Sequence, residues 1–412
     1  MLFPALPRPQ TPPRVVITGA GIITALGAGW TANAAGFRAG RTAFRPVTLF
    51  DVSGQRAQTA AEVDVPALPP CRLGARQIAR LDRAGRMLLL ATGEALRQAQ
   101  WDPVETRPFV IGTTAGGMAL GDAYFRQAQA APLRHRGQAT RVLHYQPQVQ
   151  ARLVLEAFGG GGVITIISNA CASGGNAIGH AWELLRAGQA ESALAGGYDA
   201  LGELVFCGFN TLQALTLTAC RPFDAQRDGL ALGEGAAVLA LETLDAARRR
   251  GAPILGEILG YGSVMDRHHL TQPHPEGDAA LAVMERACLS ARIGPEQVDY
   301  VNAHGTGTPL NDRAEALAIG RWAGRRASSL PVSSTKASVG HLLGGAGAVE
   351  AVVCLMALRE QWLPPETTLV TPDPVCRFPI VRAPQDARLH TALSNSFGFG
   401  GVNAALLFRR WA

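Results

Sequence analysis

Apolar positions along the chain change period in a regular rhythm. Short runs rich in β-branched residues predict buried strands at residues 14–17, 109–111, 163–167, 192–197 and 236–241. Longer stretches with apolar residues three and four apart predict helices between them. One spans residues 76–98. Another follows Gly174, with Ala177, Ile178, Ala181, Leu184 and Leu185 on its apolar face, Arg186 in its last turn and Gly188 past its end. The rhythm repeats after residue 253. Strands are expected at 254–259, 298–302 and 331–334, and helices at 279–292, 312–322 and 347–358. Residues 120–150 hold no firm pattern, and residues 394–403, rich in Gly and Phe, are expected as a flexible loop before a last strand.

Strands alternating with helices make an α/β protein. The strand–turn–helix around Cys171 resembles the one around Lys336 and His341, so two duplicated halves are expected, residues 1–252 and 253–412, facing each other across a pseudo-twofold axis. With 412 residues, 47% of them hydrophobic, the chain can bury a large core. The seven Cys are odd in number and lack a C-x-x-C pair, which supports neither a disulfide framework nor a zinc knuckle and fits a reducing cytoplasm. Residues 1–13 are Pro-rich and without an apolar segment, unlike a signal peptide. Residues 157–182 carry no Asp, Glu, Lys or Arg and are long enough to span a bilayer. Their Gly, Ser, Asn and His content favours a buried strand and helix instead.

Four features carry candidate chemistry. Cys171 stands where a strand ends and a helix begins; free N–H groups and the helix dipole would favour a thiolate there, although a lone Cys is more often buried and inert. The formal charge of +6 comes almost wholly from arginine, and Lys336 is the single lysine. A solitary ammonium is either a chance surface residue or a group that a planar guanidinium could not replace. His304 and His341 each follow a strand, beside Gly and Thr. Arg76, Arg80, Arg83 and Arg86 form a basic stripe, either a solvated face or a dock for an acidic partner. Gly19-Ala20-Gly21-Ile22-Ile23-Thr24 lacks the third glycine of a dinucleotide fingerprint, which discounts nucleotide binding. His268, His269 and His274 share a loop without matching carboxylate or Cys ligands, so no metal is expected.

Four motifs in register resolve these choices. N-A-C-A-S-G-G at 169–175, N-A-H-G-T-G-T-P at 302–309, S-S-T-K-A-S-V-G-H at 333–341 and N-S-F-G-F-G-G-V-N at 395–403 follow one another at a specific spacing. The chain resembles the condensing enzymes of fatty acid synthesis, and is similar to elongating β-ketoacyl-[acyl-carrier-protein] synthases of types I and II. The likeness runs from about Arg14 to Phe408. It implies a thiolase-like, five-layered αβαβα fold of two duplicated halves, usually in a homodimer. It implies that Cys171 accepts the acyl chain as a thioester and that His304 and His341 hold the malonyl thioester as carbon dioxide departs. Lys336 would support them through a network including Asp312 and Glu315. The N–H groups of Cys171 and Phe399 would form an oxyanion hole, with Phe399 as gate. Thr306 and Thr308 would contact the phosphopantetheine arm, and Ala115, Phe209 and Phe397 the substrate pocket. Arg76 and Arg80 would dock acyl carrier protein.

Malonyl and acyl thioesters are the implied substrates, with no cofactor, metal, nucleic acid or membrane. The chain departs from the family pattern at Asn169, usually Thr or Ser, at Gly307, usually Ser, at Ala115, and through residues 120–150. The catalytic roles survive these departures, whereas acyl-chain preference does not follow. A ketosynthase of a specialised polyketide or aryl-polyene pathway stays open as an alternative. So does a chain-length subunit of a heterodimer, although such subunits lack the nucleophile.

Overall fold

The structure, a computed structural model, describes residues 11–101, 106–133 and 138–411, without the side chains of 138–140. The expectation for the first ten residues, and part of that for 120–150, therefore lies outside the described residues.

Ten strands build the frame. In the first half these are β1 (Val15–Thr24), β2 (Phe109–Gly112), β3 (Ile164–Ile167), β4 (Ser192–Asp199) and β5 (Gly235–Thr243). The second half supplies β6 (Gly256–Met265), β7 (Tyr300–Asn302), β8 (Val332–Ser333), β9 (Thr391–Phe397) and β10 (Val402–Arg410). Their spatial order is β8-β7-β9-β10-β6-β1-β5-β4-β2-β3. Each half thus repeats the other with the strand number raised by five. The senses of pairing repeat too: β2 is parallel to β3 and β4, and β7 to β8 and β9. The remaining pairs within each half are antiparallel. The halves join where β1 pairs antiparallel with β6, Val15 opposite Ile258.

Five helices complete the layers: α1 (Arg83–Ala99), α2 (Ser173–Arg186), α3 (Asp278–Ala291), α4 (Pro309–Ala323) and α5 (Ala346–Glu360). Helix α1 packs on β1 and β5 from one side, and α3 on β6 and β10 from the other. Between the two half-sheets lie α2 and α5, in contact with each other. This is the five-layered arrangement of two duplicated halves. The middle position explains the composition of α5: every residue from Ala346 to Leu358 is buried, so it is apolar on all sides but for Glu350. Gly19 and Gly21 lie inside β1, where a Cβ would meet the Ala95 and Ala91 carbonyl oxygens of α1 at 2.1 and 1.9 Å. Their glycines serve close helix–strand packing.

Three expectations change. The helix expected over 76–98 is broken: a single turn at Ala75–Ile78 is followed by α1, whose N-terminus Asp82 caps through the Gly85 N–H at 2.7 Å. Arg83 turns inward to Glu234, leaving only Arg76 and Arg80 of the stripe exposed. Residues 118–130, 138–145 and 147–157 are helical despite their weak pattern. Of the expected loop at 394–403, residues 394–397 belong to β9, and the turn is confined to Gly398–Gly401.

The carboxyl ends of the parallel strands converge, as ligand sites in α/β sheets do. There α2 and α5 start almost in backbone contact. A Cβ on Gly174 would lie 2.8 Å from the Gly344 carbonyl oxygen and 2.9 Å from the Ala348 nitrogen. Gly174→Ala is therefore expected to lower stability by about 1–3 kcal/mol through overpacking against backbone. Urea denaturation reads this, and an unchanged midpoint would refute the close approach.

Candidate active site

Strand β3 delivers Cys171 one residue ahead of the α2 N-cap. The turn is tight: Ala170 adopts a left-handed φ of 56°, uncommon for a residue with a Cβ. Ser173 holds it, its Oγ donating to the Ala170 carbonyl at 2.6 Å and accepting from the Asn169 N–H at 2.9 Å. Strand β7 delivers His304, and β8 leads to Lys336 and then His341. All four side chains are buried.

A cavity of about 390 Å³ brings the pieces together. Cys171, His304 and His341 line it, with Phe209, Thr306, Thr308, Phe397 and Phe399. The His304 and His341 rings meet edge to face with centroids 5.3 Å apart, and Phe397 flanks His304 at 5.5 Å. Phe399 is 39% exposed and stacks on Phe209 with centroids 6.0 Å apart. The Thr306 and Thr308 hydroxyls hydrogen-bond each other at 2.8 Å. Ala115 does not line the cavity; it lies in an apolar cluster with Leu201, Phe206 and Leu343, against which Phe209 also packs.

Lys336 lies behind the imidazoles. Its Nζ donates to the His304 carbonyl at 2.6 Å, faces His304 Nδ1 at 3.5 Å and pairs with Glu350 of α5. The network expected around Lys336 is thus corrected. Its anion is Glu350, while Asp312 and Glu315, one turn apart on α4, hold backbone instead. Glu315 accepts the N–H groups of His304 and Gly305, each at 2.8 Å, and the Asn395 amide at 3.1 Å. Asp312 accepts from the N–H groups of Thr306 at 3.0 Å, Gly307 at 3.1 Å and Phe223 at 2.8 Å. The missed residue had a signal: Glu350 is the sole charge in the apolar run 347–358, and a buried carboxylate there requires a cation.

Burial and the neighbouring ammonium hold both imidazoles well below their ordinary pKa. They are neutral at pH 7. Because His304 Nδ1 faces an ammonium donor, its ring hydrogen belongs on Nε2. Burial pushes the Cys171 thiol up to about 11, although Lys336 and the N–H groups of Phe399 and Cys171, which face the sulfur, oppose this. The sequence expectation of a lowered thiol pKa is reversed, because desolvation outweighs the helix terminus.

Arg76 and Arg80 lie on the surface. His268 and His274 meet at 5.3 Å, and His274 faces Asp278 at 3.5 Å. Among the described residues, no three His, Cys, Asp or Glu side chains gather as a metal site would require, and no helix is long and apolar enough to cross a membrane.

Comparison with known proteins agrees with this geometry. The family model described as β-ketoacyl synthase, N-terminal domain, matches residues 13–247, and the C-terminal domain model matches 255–369. The chain is 38% identical over 411 residues to 3-oxoacyl-[acyl-carrier-protein] synthase 2 of Synechocystis sp., covering 97% of this chain and 98% of that one. A β-ketoacyl synthase structure from Burkholderia phymatum superposes with a TM-score of 0.88 at 33% identity, over 97% of this chain and 100% of that one. The ishigamide ketosynthase/chain length factor does so with a TM-score of 0.88 at 32% identity and the same coverage.

Two outcomes are expected. Glu350→Ala strands a buried ammonium and should cost about 3–5 kcal/mol of stability by denaturant titration. Iodoacetamide labelling of Cys171 should accelerate about tenfold per pH unit between about pH 7 and 9, since the raised thiol pKa keeps the thiolate scarce across that range. A rate that levels off below pH 8 would contradict it.

Proposed function

Because the chain belongs to the β-ketoacyl synthase family, we propose that Cys171 takes an acyl group as a thioester and passes it to the carbon exposed when a malonyl thioester loses carbon dioxide. The protein is an acyltransferase of the 3-oxoacyl-[acyl-carrier-protein] synthase class, and its reaction is decarboxylative Claisen condensation on acyl carrier protein. One observation carries the residue roles: a nucleophile and two neutral imidazoles line one cavity, with the sole lysine paired behind them.

Cys171 attacks the acyl thioester carbonyl as its thiolate, and the carrier sulfur leaves, taking up the proton that Cys171 gave up. A thiolate suits both halves of the cycle, being a strong nucleophile and a good leaving group. Malonyl-carrier then enters. As carbon dioxide departs, the electron pair moves onto the thioester oxygen, where His304 and His341 donate hydrogen bonds to the enolate. The enolate carbon attacks the Cys171 thioester. The N–H groups of Cys171 and Phe399 receive the oxyanion, which collapses to release 3-oxoacyl-carrier and free Cys171. Thr306 and Thr308 line the approach for the phosphopantetheine arm, and Phe399 gates it. Arg76 and Arg80 dock the acidic carrier. No resident cofactor takes part in this reading; the pantetheine thiol arrives with the substrate.

The same residues would serve fatty acid elongation or a specialised polyketide or aryl-polyene pathway, and the likeness to both a synthase 2 and the ishigamide ketosynthase fits either. Mass spectrometry of products from malonyl-carrier and acyl donors of graded length separates them. A non-catalytic chain-length subunit is disfavoured by Cys171 standing beside both imidazoles.

Lys336→Arg is expected to fold but lose condensation, because the guanidinium cannot occupy the site between the His304 carbonyl and Glu350. An active arginine variant would overturn the role of Lys336. Reversing charge at Arg76 and Arg80 together should raise KM for the carrier substrate about tenfold and leave kcat nearly unchanged.

A further inference from the structure

Asp199 ends β4, is fully buried, and has no part in the chemistry above. Five donors surround its carboxylate. On the first half these are the Thr113 hydroxyl at 2.6 Å and the N–H groups of Thr114 at 2.9 Å, Ala115 at 2.8 Å and Gly116 at 3.1 Å. On the second half it is the Gly344 N–H at 2.7 Å, three residues after His341. We propose that Asp199 is a positioning residue for His341, anchoring the turn that carries this imidazole to the first half of the molecule and so setting where it meets the enolate.

The two imidazoles are held differently. His304 has its backbone fixed by Glu315 and its ring faced by Lys336. The His341 ring has no such partner among the described residues: its Nδ1 is buried without a hydrogen bond. Its place is therefore set through backbone. On one side, its N–H donates to the Ala231 carbonyl at 2.7 Å and its carbonyl accepts from the Gly233 N–H at 3.0 Å. On the other stands the Leu343–Gly345 turn, which Asp199 grips.

That turn is strained and crowded. Leu343 adopts a left-handed φ of 51°. A Cβ on Gly344 would lie 2.5 Å from the Thr114 nitrogen, and the Gly344 carbonyl itself abuts Gly174 of the Cys171 helix. A turn with this conformation persists only when its surroundings over-determine it. Burial pushes Asp199 up to about 6, opposed by its donors, and five donors converging on two oxygens suit an acceptor-only carboxylate. Asparagine is nearly the same shape but replaces one acceptor with an NH2 that faces N–H groups.

The inference rests on the role proposed for His341, and the experiment separates the two. Asp199→Asn, Thr113→Val and His341→Ala are assayed for malonyl-carrier decarboxylation, for Cys171 acylation and for melting temperature. Asp199→Asn should decarboxylate about tenfold to a hundredfold more slowly. Its KM for malonyl-carrier and its rate of Cys171 acylation should stay within about twofold of the parent. Thr113→Val, which removes one donor and keeps the charge, should show the same split with a smaller loss, and it decides the matter if the asparagine variant does not fold. Parent-like decarboxylation in a folded variant overturns the inference, as does an equal fall in decarboxylation and acylation together with the melting temperature. Parent-like decarboxylation by His341→Ala overturns the role of His341, and the inference with it.

Discussion

The site depends on two helices being allowed to start in backbone contact. The first turns of α2 and α5 meet, Gly174 against Ala348 and Gly347 against Gly175. Side chains at that contact would push the helices apart. Gly174 and Gly175 on one turn, and Gly344 and Gly347 on the other, leave no Cβ to do so. The nucleophile turn and the His341 turn therefore meet at backbone distance. The side chains of Cys171, His304 and His341 then face a common cavity without long reach, which limits the conformational freedom lost when substrate binds.

Duplication supplies the geometry, and divergence supplies the chemistry. Strands β3 and β8 occupy equivalent edges of their half-sheets. One leads to a soft nucleophile, the other to an ammonium and an imidazole. Buried carboxylates do the anchoring in each half. Glu315 and Asp312 gather N–H groups of the His304 loop, and Asp199 gathers those of the loop after β2. Each sits where several backbone donors would otherwise be orphaned by burial. The carboxylates are kept in the interior by hydrogen bonds, which is why loops can carry fixed groups.

Much of this was legible in the sequence. β-Branched runs marked the strands, and each of Cys171, His304 and Lys336 follows one, because a strand end is where an α/β sheet offers unpaired backbone to a ligand. What escaped was set by contacts distant in the chain. The helix break is marked by the Asp82 cap, but the inward turn of Arg83 depends on Glu234, which is distant in the chain and invisible to a local pattern. Residues 394–397 read as loop because they open a stretch rich in Gly and Phe. They are held in β9 by pairing with β10, and Ser394 also with Asn302 of β7. Residues 118–130, 138–145 and 147–157 form helices, since tertiary packing overrode a weak local signal. The thiol pKa was misjudged for a related reason: a helix terminus is visible in sequence, whereas depth of burial is not.

That last reversal bears on how the site works. At rest the inner end of the cavity is lined by a neutral thiol and two neutral imidazoles, Lys336 and Glu350 pair behind them, and Asp228 and Asp266 line the cavity further out. A cavity whose nearest cation is already paired, and whose lining includes two carboxylates, has little to attract an anion in the ground state. In the proposed reaction, negative charge appears first on sulfur and then on the thioester oxygen. When it does, the ammonium and the oriented N–H groups are already in place, and the low dielectric strengthens each of them. Stabilisation is thereby concentrated on the transition states, where it accelerates the chemistry, instead of on bound substrate, where it would not. The same burial that keeps the thiol protonated at rest makes the preorganised donors effective once the thiolate and the enolate form.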